Sequence, residues 1–136
     1  MNRVTGIGGV FFKCEDPQNI LQWYNEHLGV SPVGEGGVFE WIQKENPKEF
    51  GHTVLGPFER ATKYFLPSKK DFMINYRVED LEALLKQLNE EGVEVVGEIE
   101  AYDYGKFGWI MDSEGNKIEL WEPNDEVFRR VNGLED

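Results

Sequence analysis

Two stretches of the chain decide its fold: "FFKCEDPQNILQWY", residues 11–24, and "NYRVEDLEALLKQL", residues 75–88. Laid over each other with an offset of 64, Phe12, Lys13, Cys14, Glu15 and Asp16 fall on Tyr76, Arg77, Val78, Glu79 and Asp80. The pattern is aromatic, basic, apolar, acidic, acidic, twice. After the second copy, Leu81, Leu84, Leu85 and Leu88 recur at the spacing of one helix face, and Ile20, Leu21 and Tyr24 occupy the matching face of the first. Asp16 before Pro17 predicts a helix start with a side-chain acceptor and a preset φ, and Asp80 is placed to cap likewise. Gly29 and Gly92 stand where each helix must end.

Working outward, each helix is followed by short runs rich in β-branched and aromatic residues. These are "GVFEWI", "HTVLG" and "TKYFL" in the first half, and "VEVVGEIEAY", "FGWIMD" and "KIELW" in the second. The order is βαβββ, twice, an α+β fold. Two such modules form a curved mixed sheet with helices on the convex face and a concave ligand cleft on the other. We read residues 1–136 as one domain: module 1 at about 5–67, a linker at 68–71, module 2 at about 72–123 and a tail at 124–136. Aligning "KYFLP" with "ELWEP" sets Lys63 opposite Glu119 at an offset of 56, and puts the extra residues of module 1 in the polar stretch Gln43 to Gly51. Alternation then directs Val10, Phe12, Cys14, Ile74, Tyr76 and Val78 to the helices. It directs Gly9, Phe11, Lys13, Met73, Asn75, Arg77, Glu119 and Trp121 to the cleft.

Composition narrows the partners. With 26 acidic against 14 basic residues the net charge is -12, which repels phosphate backbones and anionic lipid, so neither nucleic acid nor membrane is an expected partner. No run approaches the roughly 20 apolar residues of a membrane span, and "MNRVTGIGG" has no apolar segment of signal length. The single cysteine, Cys14, rules out a disulfide framework and reads as a small buried side chain in a reduced setting, so a cytoplasmic location is expected.

The paired modules, the "DPxxxxxWYxxxLG" string ending at Gly29, and "FGWIMDSEGNKIELWEP" resemble the vicinal oxygen chelate superfamily, which includes glyoxalase I, bleomycin-resistance proteins, extradiol dioxygenases and methylmalonyl-CoA epimerase. The resemblance runs from about Ile7 to Pro123. It implies the fold, a homodimer, and, in metal-dependent members, one ligand on the first and one on the last strand of each module. Carried over, those positions are Gly9, Lys63, Met73 and Glu119. Glu119 alone has a suitable side chain, because glycine offers none, a thioether is soft, and an ammonium repels a cation. No cofactor is therefore expected. An improvised metal site of Glu119, His52 and Glu40 is the alternative.

The candidate residues follow from this frame. Glu119 lies between Trp109 and Trp121, where desolvation would raise its pKa into a range useful for proton transfer. Its other reading is an ion-paired carboxylate, with Lys63 as partner. Phe11, Phe39, Trp41, Trp109 and Trp121 are candidates to line a pocket for a flat or cationic molecule, with Glu40, Lys63, Met73 and Asn75 beside them. The leading expectation is a metal-free protein that binds a small aromatic or cationic molecule. The alternatives are a glyoxalase-type lyase or isomerase with an atypical metal site, and a metal-free enzyme in which Glu119 is general acid or base, assisted by Lys63, Tyr104 or Asn75.

Overall fold

The repeated stretches form the two central strands and the helices that follow them. The computed structural model describes residues 3–134. In chain order the elements are β1 (Gly6–Cys14), α1 (Pro17–Leu28), β2 (Pro32–Val33), β3 (Gly36–Ile42), β4 (Phe50–Glu59), β5 (Phe72–Arg77), α2 (Leu81–Glu90), β6 (Val95–Tyr102), β7 (Gly105–Met111), β8 (Lys117–Pro123) and α3 (Asp125–Val131). One mixed sheet holds the strands in the order β2-β3-β4-β1-β5-β8-β7-β6. β1 and β5 pair antiparallel at its centre, while β4 runs parallel to β1 and β8 parallel to β5, so the modules meet as two similar halves. Among the described residues no helix is long and apolar enough to cross a membrane.

The caps form as the sequence predicts. Asp16 accepts from the Asn19 amide and Asp80 from the Ala83 amide, each at 3.1 Å, and Gly29 closes α1 at φ 70°. On the helix face of module 2, Leu81, Leu84 and Leu85 pack with Val78, Ile110 and Leu120, with Tyr76 and Ile118 against them. The same face of module 1 is thinner. Leu21 is the buried residue of α1, which packs on β4 and β2, so Val10 of β1 stays exposed instead of meeting a helix as expected.

One further expectation is corrected. "TKYFL" is not a strand: residues 62–66 lie in a turn-rich segment between β4 and β5, and the missing strand of module 1 is the two-residue β2. Short β2 pairs only with β3, through Pro32↔Gly37 and Val33↔Gly36, and carries too few residues for alternation to show. The tail contains α3, capped by Asn124, whose side chain accepts from the Val127 amide.

Candidate functional site

Glu119 sits in the middle of the sheet face opposite α1 and α2. Strand register explains its neighbours: it is paired with Asn75 of β5 on one side and Trp109 of β7 on the other, and paired residues project to the same face. Asn75 Nδ2 donates to Glu119 Oε2 at 2.6 Å, Trp109 Nε1 donates to Oε1 at 3.1 Å, and the Tyr64 hydroxyl also donates to Oε1. Burial pushes the Glu119 carboxyl above the usual carboxylate range, against the pull of those three donors and of Lys117. Burial also lowers the affinity of Lys117 for its proton. Its ammonium donates to the Tyr64 carbonyl at 2.7 Å and lies over the Tyr64 and Trp109 rings.

The segment misread as a strand is what covers this carboxylate. Tyr64 turns its hydroxyl inward, and Phe65, fully buried, packs with Met73 and Trp109, with Phe11, Phe58 and Phe107 around them. Lys63 is exposed within this segment and is not the strand counterpart of Glu119. Phe11 corresponds to Asn75 in the repeat and pairs with Gly56, so the counterpart is Gly56. A Cβ at Gly56 would meet Phe11 Cδ1 at 2.5 Å, and one at Gly9 would meet the same ring at 2.9 Å. The two glycines are therefore the floor on which the Phe11 ring lies. At the positions where the resemblance sets metal ligands, module 1 offers two glycines under a phenyl ring, and module 2 offers Met73 in an apolar cluster beside a carboxylate already engaged at both oxygens. These residues do not fit a divalent ion.

Glu40 and His52 belong to a second cluster. His52, completely buried, has Glu40 Oε2 at 2.9 Å from one ring nitrogen and Asp125 Oδ1 at 2.8 Å from the other, and packs at a tilt against Phe128. Arg77 donates to Asp125 through its two terminal guanidinium nitrogens, at 2.9 and 2.6 Å, between the rings of Trp41 and Trp121. Arg129 pairs with Glu40 and, chiefly by its hydrogen bond there, holds that carboxyl below its ordinary range. For Asp125 burial pushes upward, but the hydrogen bonds of His52 and Arg77 outweigh it and hold the group low. The alternative metal set of Glu119, His52 and Glu40 thus divides between two sites, and among the described residues no group of three His, Cys, Asp or Glu side chains is arranged to hold a metal.

An open groove of about 690 Å³ lies at the end of the sheet, where β4 begins, β6 turns into β7, and β8 runs into α3. Three strands separate β4 from β7 in the sheet, so the sheet curls to bring their ends to one groove. Phe50 and Tyr102 supply rings, Glu49, Asp103, Glu122, Asp125 and Glu126 supply carboxylates, and Lys48, Lys106 and Arg129 supply cations. None of the expected ligand-binding residues lines it. Phe11, Met73, Asn75, Trp109 and Trp121 are gathered on the covered part of the face, Trp41 lines a smaller recess beside Arg77, and Lys63 and Phe39 are exposed elsewhere. The sequence reading missed Phe50, Tyr102, Asp125 and Arg129; the "NDEVFRR" stretch after Pro123, a capping Asn before acidic then basic turns, was the available signal for α3.

With this geometry in hand, a family model described as a glyoxalase-like domain matches residues 9–121. The chain belongs to the glyoxalase-like domain family. Solved structures agree on the fold of this glyoxalase-like domain. A methylmalonyl-CoA epimerase from Mycobacterium tuberculosis is 23% identical with a TM-score of 0.64, covering 94% of each chain. A Streptomyces coelicolor methylmalonyl-CoA epimerase variant, in complex with 2-nitronate-propionyl-CoA, is 16% identical with a TM-score of 0.66, covering 89% of this chain and 99% of that one. A glyoxalase/bleomycin resistance protein/dioxygenase superfamily member from Vibrio splendidus is 15% identical with a TM-score of 0.53, covering 85% and 97%. No curated protein matches the chain in sequence.

Proposed function

We propose that this glyoxalase-like domain is a small-molecule-binding protein that takes up an aromatic or cationic ligand in the open groove between β4, the β6–β7 turn and α3, without a bound metal. The observation that carries this reading is the groove's lining: the rings of Phe50 and Tyr102 among more carboxylates than cations. Lys106 is paired with Glu82, Arg129 with Glu40 and Asp125 with Arg77, which leaves Glu49, Asp103, Glu122 and Glu126 against Lys48, so the surplus charge facing a ligand is negative. The Phe50 ring carries the Arg129 guanidinium, and half-exposed Tyr102 is the ring open to a ligand. Ring faces beside carboxylates attract a cation that carries its own apolar surface. A CoA ester of the kind held by the Streptomyces epimerase would bring phosphates into this negative field and is disfavoured.

Isothermal titration with benzyltrimethylammonium and with acetyl-CoA tests the reading. The aromatic cation is expected to bind, and Tyr102→Ala to weaken it by roughly three- to tenfold, the usual range for a cation over a ring. Tighter binding of acetyl-CoA, or no loss in Tyr102→Ala, would overturn it. We also propose that two copies pair through the outer face of the central strands. Ile7 and Val10 of β1 and Phe72 of β5 are exposed there, where neither helix covers them. Light scattering at micromolar concentration should then give twice the mass of one chain, and a monomer would refute the pairing.

An enzyme using Glu119 has one observation in its favour, the raised proton affinity of a buried carboxyl. Against it, both oxygens are engaged and the Tyr64–Phe65 segment lies over them. A substrate reaches Glu119 only if that segment moves.

A further inference from the structure

The covering segment is attached to the sheet in an unusual way. From Thr62 to Ser68 its backbone makes no ladder with any strand. Its backbone hydrogen bonds are local, from the Thr62 amide to the Glu59 carbonyl, the Leu66 amide to the Lys63 carbonyl and the Ser68 amide to the Phe65 carbonyl, at 3.0, 3.2 and 2.9 Å. What binds it to the sheet is side chains: the Tyr64 hydroxyl on Glu119, the Phe65 ring among Phe58, Met73 and Trp109, and Lys117 on the Tyr64 carbonyl. A segment fixed by a few side-chain anchors and no shared ladder opens at lower free energy than the strands beneath it. Lifting it would vacate a ring-sized chamber walled by Phe11, Phe58, Met73 and Trp109, and would leave Glu119 Oε1 without its O–H donor.

The chemistry of that chamber selects its occupant. It offers aromatic and thioether walls to a ring, and one carboxylate oxygen that keeps the Trp109 donor but has lost its second one. The replacement donor must be neutral, because the Lys117 ammonium lies 5.2 Å from the Tyr64 ring centre and 5.5 Å from that of Trp109, where a second cation would meet like charge. We propose that residues Thr62 to Ser68 are a displaceable plug, in which Tyr64 and Phe65 hold the place of a neutral phenol that competes with them for the chamber over Glu119. The chain is then its own weak inhibitor, and a phenol binds only by opening the segment. The plug is independent of the groove at the sheet end, and either can fail without the other.

Amide hydrogen exchange on the whole protein, followed by NMR, tests this. Leu66 and Ser68 amides are expected to exchange through a local opening, faster than the Glu119 and Leu120 amides of β8, which wait for global unfolding. Tyr64→Phe, which keeps the ring and removes the donor, should speed Leu66 and Ser68 about fivefold, the usual worth of one hydrogen bond, and leave β8 nearly unchanged. Adding 4-methylphenol to the unmodified protein should speed the segment further and shift the Trp109 indole signal, while 4-methylanisole, which cannot donate, should do neither. Exchange of Leu66 and Ser68 at the β8 rate would overturn the proposal, as would identical responses to the two additives.

Discussion

In the second module α2 drives Leu81, Leu84 and Leu85 into Val78, Ile110 and Leu120, whereas in the first α1 buries Leu21 and leaves Trp23 and Leu28 facing water. The opposite face differs in the same sense. Where module 2 has Asn75 and Glu119 joined by a hydrogen bond, module 1 has Phe11 and Gly56, a ring lying on a bare backbone. One module supplies the helix-side core and the polar centre; the other supplies apolar surface and the segment that covers that centre. Repeating an element order evidently does not repeat the energetics, because each copy is free to exchange a side chain for the space beside it.

The sharpest way to break this comparison is a matched pair of core truncations. Leu81→Ala should cost about 3 kcal/mol, as for a fully buried leucine with little room to collapse, and Leu21→Ala about half of that. Urea denaturation gives both values, and equal losses would mean that the two helices are anchored alike. Next in size is Gly56→Ala, whose new methyl must displace the Phe11 ring and should cost about 2 kcal/mol. Combining it with Phe11→Leu should recover much of the loss, since the clashing ring is gone, whereas simple additivity would show that the glycine serves the backbone alone.

The smallest effect concerns the two carboxyls with opposite shifts. Asp125 is held low when folded, so the stability it contributes is in place above about pH 4 and is lost as pH falls through its folded value. Glu119 is held high, so the folded state takes up its proton more readily than the unfolded chain. Folding is therefore favoured as pH falls from that raised value toward about 4.3, and its charge works against folding above it. Glu119→Gln should remove this second limb and keep the first. The neutral-pH change should stay within about 1 kcal/mol, because Asn75, whose Oδ1 is buried without a partner, can turn to accept from the new amide. Urea midpoints across pH, compared between the two proteins, measure it; an unchanged profile would mean that Glu119 does not titrate in that window.

Local pattern made much of the fold legible. The doubled acidic caps, the leucine spacing and the β-rich runs set two βαβββ modules, and alternation sent Met73, Asn75, Glu119 and Trp121 to one face of the sheet. The "TKYFL" error shows the limit. Its residues have strand propensity, yet Phe65 gains more by burying its ring against Met73 and Trp109 than the segment would by pairing at an edge. Lys63, inferred from that strand, fell with it.

Sequence alone determined α1, α2, most of the strands and the shared face of Met73, Asn75, Glu119 and Trp121, because these follow from periodicity. Tertiary structure alone decided that Gly56 is the counterpart of Glu119, that Tyr64 closes over it, and that His52 joins Glu40 to Asp125. Such contacts span 55 residues for Tyr64 and Glu119 and 73 for His52 and Asp125. Separations of that size leave no trace in local spacing; they are fixed by strand order, the curl of the sheet and the competition of whole side chains for one buried place.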